Sequence, residues 1–302
     1  MPASLRELRQ RRKSVTATKK ITRAMELIAS SRIIRAQQAA ARALPFTREL
    51  NRAVSAVANY SHFDHPLTRP VENPKRVAVL FITSDRGMNG AYSANVIKTV
   101  ASFRQRMEEE GREVVRYVVG RKGIGFLKYR GIPIEEQWEG FSDSPTYDRA
   151  VEISDRLLAD FLKPHEEGGV DEIWAVYTRM ESMLSQTPRA RRVLPLEVVE
   201  GVREVDSDDL VPLYEFEPDP ETVLDALLPI YVRSRVWFYL LQSAASQLAM
   251  QQKAMKSATD NAQQLIERLT REANQARQAE ITQEISEIVG GASALADLTE
   301  ND

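Results

Sequence analysis

The sequence contains no cysteine. That excludes disulfides, thiolate zinc sites and cysteine nucleophiles, and it fits a reducing compartment. Histidine is almost as scarce: His62, His65 and His165 are the only three. His62 and His65 share a short polar loop and His165 is far from both, so they read as surface loop residues rather than metal ligands. No Ser/His/Asp set can be assembled from them. No run of about 18 apolar residues occurs, so nothing reads as membrane-spanning. The opening residues, Met1 to Arg6, lack the apolar stretch of a signal peptide. They are basic and poor in acids, as a transit peptide would be, but a helical pattern begins at once and reads as mature protein. Glycine and proline are missing over two long stretches. There is neither from Leu5 to Leu44, and from Glu221 to Val289 there is Pro229 alone.

Of the 302 residues, 43% are hydrophobic and 28% charged, which suits one or two domains with a real core. The net charge of −2 conceals an asymmetry. Residues 1–52 carry 13 Lys/Arg against 3 Asp/Glu, and the remainder carries 28 against 40. A basic arm on an acidic body suggests an anionic partner: nucleic acid, lipid or an acidic protein surface.

The first uninterrupted stretch predicts one helix over residues 2–59. Ser4 can cap it, with Glu7 at capping-box spacing. Leu8, Val15, Thr22, Ala29, Ala36 and Ala43 recur every seven residues, the mark of a coiled-coil seam. These residues are small, so a partner helix can approach closely. Pro45 is a candidate kink. The segment from Asp64 to Pro74 ends this element, and the periodicity changes. Residues 76–83 form a continuous apolar run, as in a buried parallel strand. A turn from Ser84 to Gly90 follows, then a helix near 91–110, a strand at 114–119, a helix near 147–163 and a strand at 173–178. Residues 191–199 read as a further strand and 201–219 as an acidic loop. Strands alternating with helices imply a doubly wound, mostly parallel sheet. The last third is helical again. Asp219 can cap it with Pro220 at the first position, and its seam runs Leu241, Ala245, Leu248, Gln252, Met255, Thr259, Ala262, Ile266, Leu269, Ala273 and Ala276. At 1.5 Å per residue this helix is roughly 100 Å long. The simplest architecture packs the two long helices antiparallel, with the α/β domain at one end. The alternative is that each dimerises with another copy. The expected divisions are 1–62, 74–217 and 219–302.

Chemical signals are sparse. The turn Ser84–Gly90 lies between a strand and a helix, where phosphate loops occur. It matches neither GxGxxG nor GxxxxGK[ST], and the same holds for Gly120, Gly123 and Gly125. These glycines read as permitting tight turns. The acidic pairs Asp208-Asp209 and Glu166-Glu167 read as solvated loop charge. The basic residues surround the first helix instead of forming one stripe, and no helix-turn-helix or stacking-aromatic pattern accompanies them. A coiled-coil nucleic-acid-binding or scaffold protein and a nucleotide-dependent α/β enzyme both remain open on composition.

Four separated motifs carry a resemblance. They are Lys19-Lys20-Ile21-Thr22-Arg23-Ala24-Met25-Glu26 with Leu27 to Arg32; Ser84-Asp85-Arg86-Gly87 with Gly90 and Tyr92; Tyr177-Thr178 with Gln186-Thr187-Pro188 and Leu194-Pro195; and Ala254 to Ala262 followed by Ala276-Arg277-Gln278-Ala279-Glu280-Ile281-Thr282-Gln283-Glu284-Ile285 on to Ala292. In this order they resemble the gamma subunits of rotary, F-type ATP synthases over nearly the whole chain. Met88, Asn89 and Ala91 depart from the commoner Leu, Cys and Gly. Gln247 and Gln251 stand where the family often has Glu and Arg, four apart, so an intrahelical pair worth at most about 0.5 kcal/mol is absent.

The resemblance implies an antiparallel coiled coil around a Rossmann-like domain, with no active site and no cofactor or metal of its own. It implies a shaft that turns inside an alpha/beta hexamer, coupling rotation of a proton-driven membrane ring of c subunits to ATP synthesis or hydrolysis. The epsilon subunit would stand beside it, with one copy per complex, on the cytoplasmic face of a cell membrane. It assigns partner contacts, at the collar and bearing of the catalytic ring, to Lys19, Lys20, Arg23, Met25, Arg277, Gln278, Thr282, Ile285, Ile288 and Val289. Ile281 and Leu295 join the apolar tip.

Overall fold

The computed structural model describes residues 4–60, 66–196, 217 and 219–299. His62, His65 and nearly all of the acidic loop 201–219 lie outside them. Eleven elements follow one another: α1 (Leu5–Tyr60), β1 (Arg76–Ile82), α2 (Tyr92–Glu109), β2 (Glu113–Val119), α3 (Arg121–Tyr129), β3 (Glu136–Trp138), α4 (Tyr147–Leu162), a 3-10 turn (His165–Glu167), β4 (Glu172–Met180), β5 (Gln186–Leu194) and α5 (Pro220–Thr299). They form two compact units, Met1–Ile28 with Gln252–Asp302, and Ala29–Gln251.

In the first unit, the start of α1 packs on the later part of α5. The Ser4 cap is realised in both directions: Glu7 N donates to Ser4 Oγ at 3.3 Å, and Ser4 N to Glu7 Oε2 at 3.0 Å. This satisfies two of the backbone donors that a helix start leaves open. Leu8 meets Leu269 and Ala273, with Leu5, Val15 and Ala276 around them. Further along α1, Thr22 receives a 2.8 Å hydrogen bond from Thr259. Rising numbers on one helix meet falling numbers on the other, so the pair is antiparallel, as the two seams predict.

The second unit holds a five-stranded sheet in the order β3-β2-β1-β4-β5. The pairs β1–β2, β1–β4 and β2–β3 are parallel and β4–β5 is antiparallel. Both faces are covered. Val77, Val79 and Phe81 face α2 and α3, while Ala78, Leu80 and Ile82 face α4 and α5. β1 is buried on both sides, which explains its unbroken apolar sequence. Within this unit α1 and α5 again run antiparallel: Ile33 packs on Leu248, and Thr47 Oγ1 lies 3.2 Å from Ser234 Oγ. Helix α1 continues through Pro45.

One sequence expectation is corrected here, and two elements are added that the sequence did not lead us to expect. The extra strand spans 186–194 rather than 191–199, and it is antiparallel because a tight turn at 181–185 leaves no room for a crossover. Helix α3 was not expected; Gly123 and Gly125 weaken its helical signal, yet Ile124 and Leu127 anchor it in the core. Strand β3 has three residues, too few for a periodicity to register. His165 lies 3.8 Å from Asp171 and is exposed.

One ion network centred on the buried Asp160 ties α4 to the sheet. Asp160 accepts from Tyr117 OH at 2.6 Å and Lys163 Nζ at 2.7 Å, with Arg156 Nε at 3.1 Å. Burial pushes the Asp160 carboxyl up, but the Lys163, Tyr117 and Arg156 partners outweigh it and hold it below its ordinary value. A depressed folded-state value stabilises the fold above the unfolded value of about 3.9 and is lost as pH falls through the folded one. Asp160→Asn is therefore expected to cost more stability at neutral pH than near pH 3. Urea midpoints at the two pH values check this, and an equal cost at both would refute it.

Candidate partner-binding surface

The residues assigned to partner contacts fall in two belts of the first unit. On α1, Lys20 and Arg23 are exposed and Met25 is half-buried. Arg23 Nη1 pairs with Glu26 Oε1 at 2.8 Å, within its own helix. Lys19 is drawn into the helix pair, its Nζ donating to Gln263 Oε1 at 2.6 Å. On α5, every residue from Arg277 to Gly290 is exposed. Thr282 Oγ1 bonds back to the Gln278 carbonyl at 2.8 Å, a bond internal to the helix. The side chains of Ile281, Ile285, Ile288 and Val289 are 46%, 56%, 71% and 58% exposed. Their spacing of four, three and one places them on one face of the helix. The side chain of Leu295 lies outside the description.

The two belts are not brought together. Lys19 sits level with Gln263, and position 277 is fourteen residues further along α5, about 21 Å at 1.5 Å per residue. The sequence reading also missed part of the first belt. Ile21 and Ile28 are 61% and 54% exposed, and Leu27 beside them is exposed as well. Ile21 and Ile28 repeat after seven residues away from the buried Thr22 and Glu26, a second apolar line that the seam pattern overshadowed.

In the second unit, the turn Ser84–Gly90 is a structural clasp. Asp85 accepts from the backbone N–H of Ser142 at 2.9 Å and of Arg121 at 3.2 Å, and its own N–H donates to Ser142 Oγ at 2.9 Å. Burial raises the Asp85 carboxyl; the backbone N–H groups of Gly140, Ser142 and Arg121 overcome this and leave it lowered. One carboxylate thus fastens the loops after β1, β2 and β3.

The crevice at the carboxyl ends of β1 and β4, where doubly wound sheets bind ligands, is filled by α5. β1 stops at Ile82, so the end of β4 lacks a strand on that side. Side chains of α5 take the place of a strand: Thr178 N donates to Ser243 Oγ at 3.4 Å, Ser246 Oγ donates to Thr178 O at 3.1 Å, and Met180 N donates to Gln242 Oε1 at 3.2 Å. Tyr92 is buried beside them, and burial pushes its hydroxyl well above its ordinary value. The space a nucleotide would need is occupied by this chain's own helix. Among the described residues, no three His/Cys/Asp/Glu side chains gather as a metal site. No helix among them is long and apolar enough to cross a membrane.

A family model described as ATP synthase matches residues 4–295. The ATP synthase gamma chain of Nocardioides sp. is 59% identical over 297 residues, covering 98% of both chains. That of Cutibacterium acnes is 56% identical over 311 residues, again covering 98% of both. Among solved structures, a chain of the Euglena gracilis mitochondrial ATP synthase covers 96% of this chain and 94% of its own length, with a TM-score of 0.68 at 16% identity. A chain of the Tetrahymena thermophila mitochondrial ATP synthase central stalk and c-ring covers 79% and 99%, with a TM-score of 0.56 at 19% identity. At such identities these two speak to the fold, and the curated relatives speak to the family. With two paired helices, a filled crevice and matches over nearly its full length, the chain belongs to the ATP synthase gamma chain family.

Proposed function

We propose that this chain is the central rotor shaft of a proton-translocating F-type ATP synthase. It couples rotation of the membrane ring of c subunits to ATP synthesis or hydrolysis in the alpha/beta hexamer. The observation that carries this reading is the exposed apolar end of α5, which meets no partner within the described chain while the rest of the coil is paired. A chain in a solved Euglena gracilis assembly described as a rotor shares this fold, with a TM-score of 0.61.

The mechanism follows from asymmetry. One shaft of two unlike helices cannot meet three equivalent beta subunits identically. It holds each in a different state, and turning it passes each through substrate binding, ATP formation and release. The shaft needs no catalytic group, and the chemistry belongs to the beta subunits. Its bearing surface must not stick in any one orientation. The belt of Lys19, Lys20, Arg23 and Met25 and the belt of Arg277, Gln278, Thr282, Ile285, Ile288 and Val289 serve as collar and bearing contacts. Exposed ion pairs are each worth about 0–1 kcal/mol, weak enough to be exchanged as the shaft turns. Segments 1–62 and 219–302 form the coil, and segment 74–217 stands on the membrane ring beside the epsilon subunit. One copy serves each complex, as a peripheral protein on the cytoplasmic side of the cell membrane.

Co-purification with alpha and beta subunits tests the reading. One copy per three alpha–beta pairs, with ATP turnover dependent on this chain, is expected. A chain that remains alone, or dimerises and leaves turnover unchanged, would overturn it. Within the assembly, Arg277→Ala with Gln278→Ala should weaken coupling while leaving the thermal unfolding midpoint in place, because both side chains are exposed. Unchanged synthesis and hydrolysis rates would remove these two residues from the bearing.

A further inference from the structure

The sheet face covered by α5 is apolar except toward β5. Residues opposite one another in an antiparallel pair project to the same side. Arg191 lies opposite Ala175 and Arg189 opposite Tyr177. Ala175 and Tyr177 belong to the core beneath α5, so both arginines emerge on that face. Arg179, two residues beyond Tyr177, projects there as well. The Tyr177 ring lies 4.3 Å from that of Tyr239 on α5. Arg235 Nη2 donates to Tyr239 OH at 3.1 Å, and the guanidinium carbon lies 5.4 Å and 6.0 Å from the ring centroids of Tyr239 and Tyr231. Arg179, Arg189 and Arg191 therefore share the sheet face of Tyr177, and Arg235 stands over Tyr239, whose ring packs on that of Tyr177. The carboxylate among them is Glu181, which is bonded to Arg189. Among the described residues, Arg179, Arg191 and Arg235 have no carboxylate within ion-pair distance.

An arginine keeps its charge when half-buried. Stacking on tyrosine repays only part of its lost hydration, and most of the five donors of Arg235 remain unused. Tyr177 and Tyr239 are themselves buried, so the guanidinium groups are what this face offers, and arginine is enriched where proteins meet. We infer that this arginine surface docks an acidic segment of a partner subunit, with carboxylates taken by Arg191 and Arg235 and with Arg179 at the rim. A protein carboxylate fits better than a phospholipid headgroup. Arg235 is recessed between tyrosines one helical turn to either side, where a single side chain reaches it but a flat membrane surface does not. Charge complementarity supplies the attraction, and the bidentate fork supplies the register.

The inference rests on the rotor reading only for the assembly in which the partner is sought. The test places p-benzoylphenylalanine at Thr187, which lies opposite Arg179 and is exposed, in the complete complex. A control probe occupies the exposed Lys128 on α3. The expected photo-adduct joins Thr187 to an Asp/Glu-rich segment of another subunit. It should fall about tenfold when salt is raised to about 0.5 M, and equally in Arg191→Glu with Arg235→Gln. Adducts to phospholipid, to residues 201–219 of this chain, to an uncharged partner segment, or none above the control would overturn it. ATP turnover dependent on this chain, measured in the same preparation, keeps the rotor reading separate: turnover without the adduct sinks only the docking surface.

Discussion

Gly120→Val is expected to destabilise the chain by about 3–5 kcal/mol, a large part of the 5–15 kcal/mol typical of a native domain. Gly120 ends β2 with φ of 97°, a conformation that side chains strongly resist. A Cβ there would lie 2.3 Å from Thr83 O and 2.8 Å from Thr83 Oγ1. Thr83 cannot retreat. Its hydroxyl donates to Val119 O at 2.9 Å and accepts from Gly123 N at 2.9 Å, and its backbone N–H bonds Val119 O at 2.8 Å. Gly125 provides the comparison, since a Cβ there meets nothing within 4 Å. Gly125→Ala should stabilise α3 by about 0.5–1 kcal/mol through helix propensity. Urea unfolding of the full chain followed by circular dichroism reads both. A Gly120→Val midpoint equal to that of the parent chain would show that the close approach is not real.

Ile285→Asp with Ile288→Asp should act in the opposite way, sparing the fold and damaging the motor. Neither side chain packs against the rest of the described chain, so the unfolding midpoint should not move. Each apolar side chain that fills a bearing is worth about 1.5–3 kcal/mol, and a carboxylate put in its place adds a desolvation cost. Since about 1.4 kcal/mol is a tenfold change, ATP-driven proton pumping in the assembled complex should fall by at least about tenfold. A lowered unfolding midpoint would show that the two residues are structural. Undiminished pumping would show that the apolar tip bears no load.

The terminal helices were readable because their determinants are local. A long stretch without glycine or proline, a Ser4–Glu7 capping box, an Asp219 cap that receives Thr222 N at 2.9 Å, and two heptad seams set where α1 and α5 begin and what they bury. β1, β2 and β4 were readable because strands buried on both faces must be apolar throughout. The four motifs carried the family for the same reason: they are contiguous. Other features had no local signature. α3 and β3 hold through contacts with the sheet, against glycines and short length. β5 is shifted from its sequence-based position because antiparallel pairing with β4 starts at the turn and not at the apolar end of the run. The turn holding Asp85 read only as a tight strand-to-helix turn, and the approach of two other loops makes it a clasp. That Gln242, Ser243 and Ser246 would bond the end of β4, some sixty residues away in sequence, had no local signature either.

For the candidate site the division is the same. Sequence alone determined which residues are basic or apolar on each helix, and therefore that the protein is built from two seams around an α/β domain. Tertiary structure decided which of them stay free. It took Lys19 into the pair, separated the two belts and left Ile285 and Ile288 in solvent. It also brought Arg235 of α5 to the sheet face that carries Arg179, Arg189 and Arg191, because exposure and proximity depend on what else the chain packs against each position.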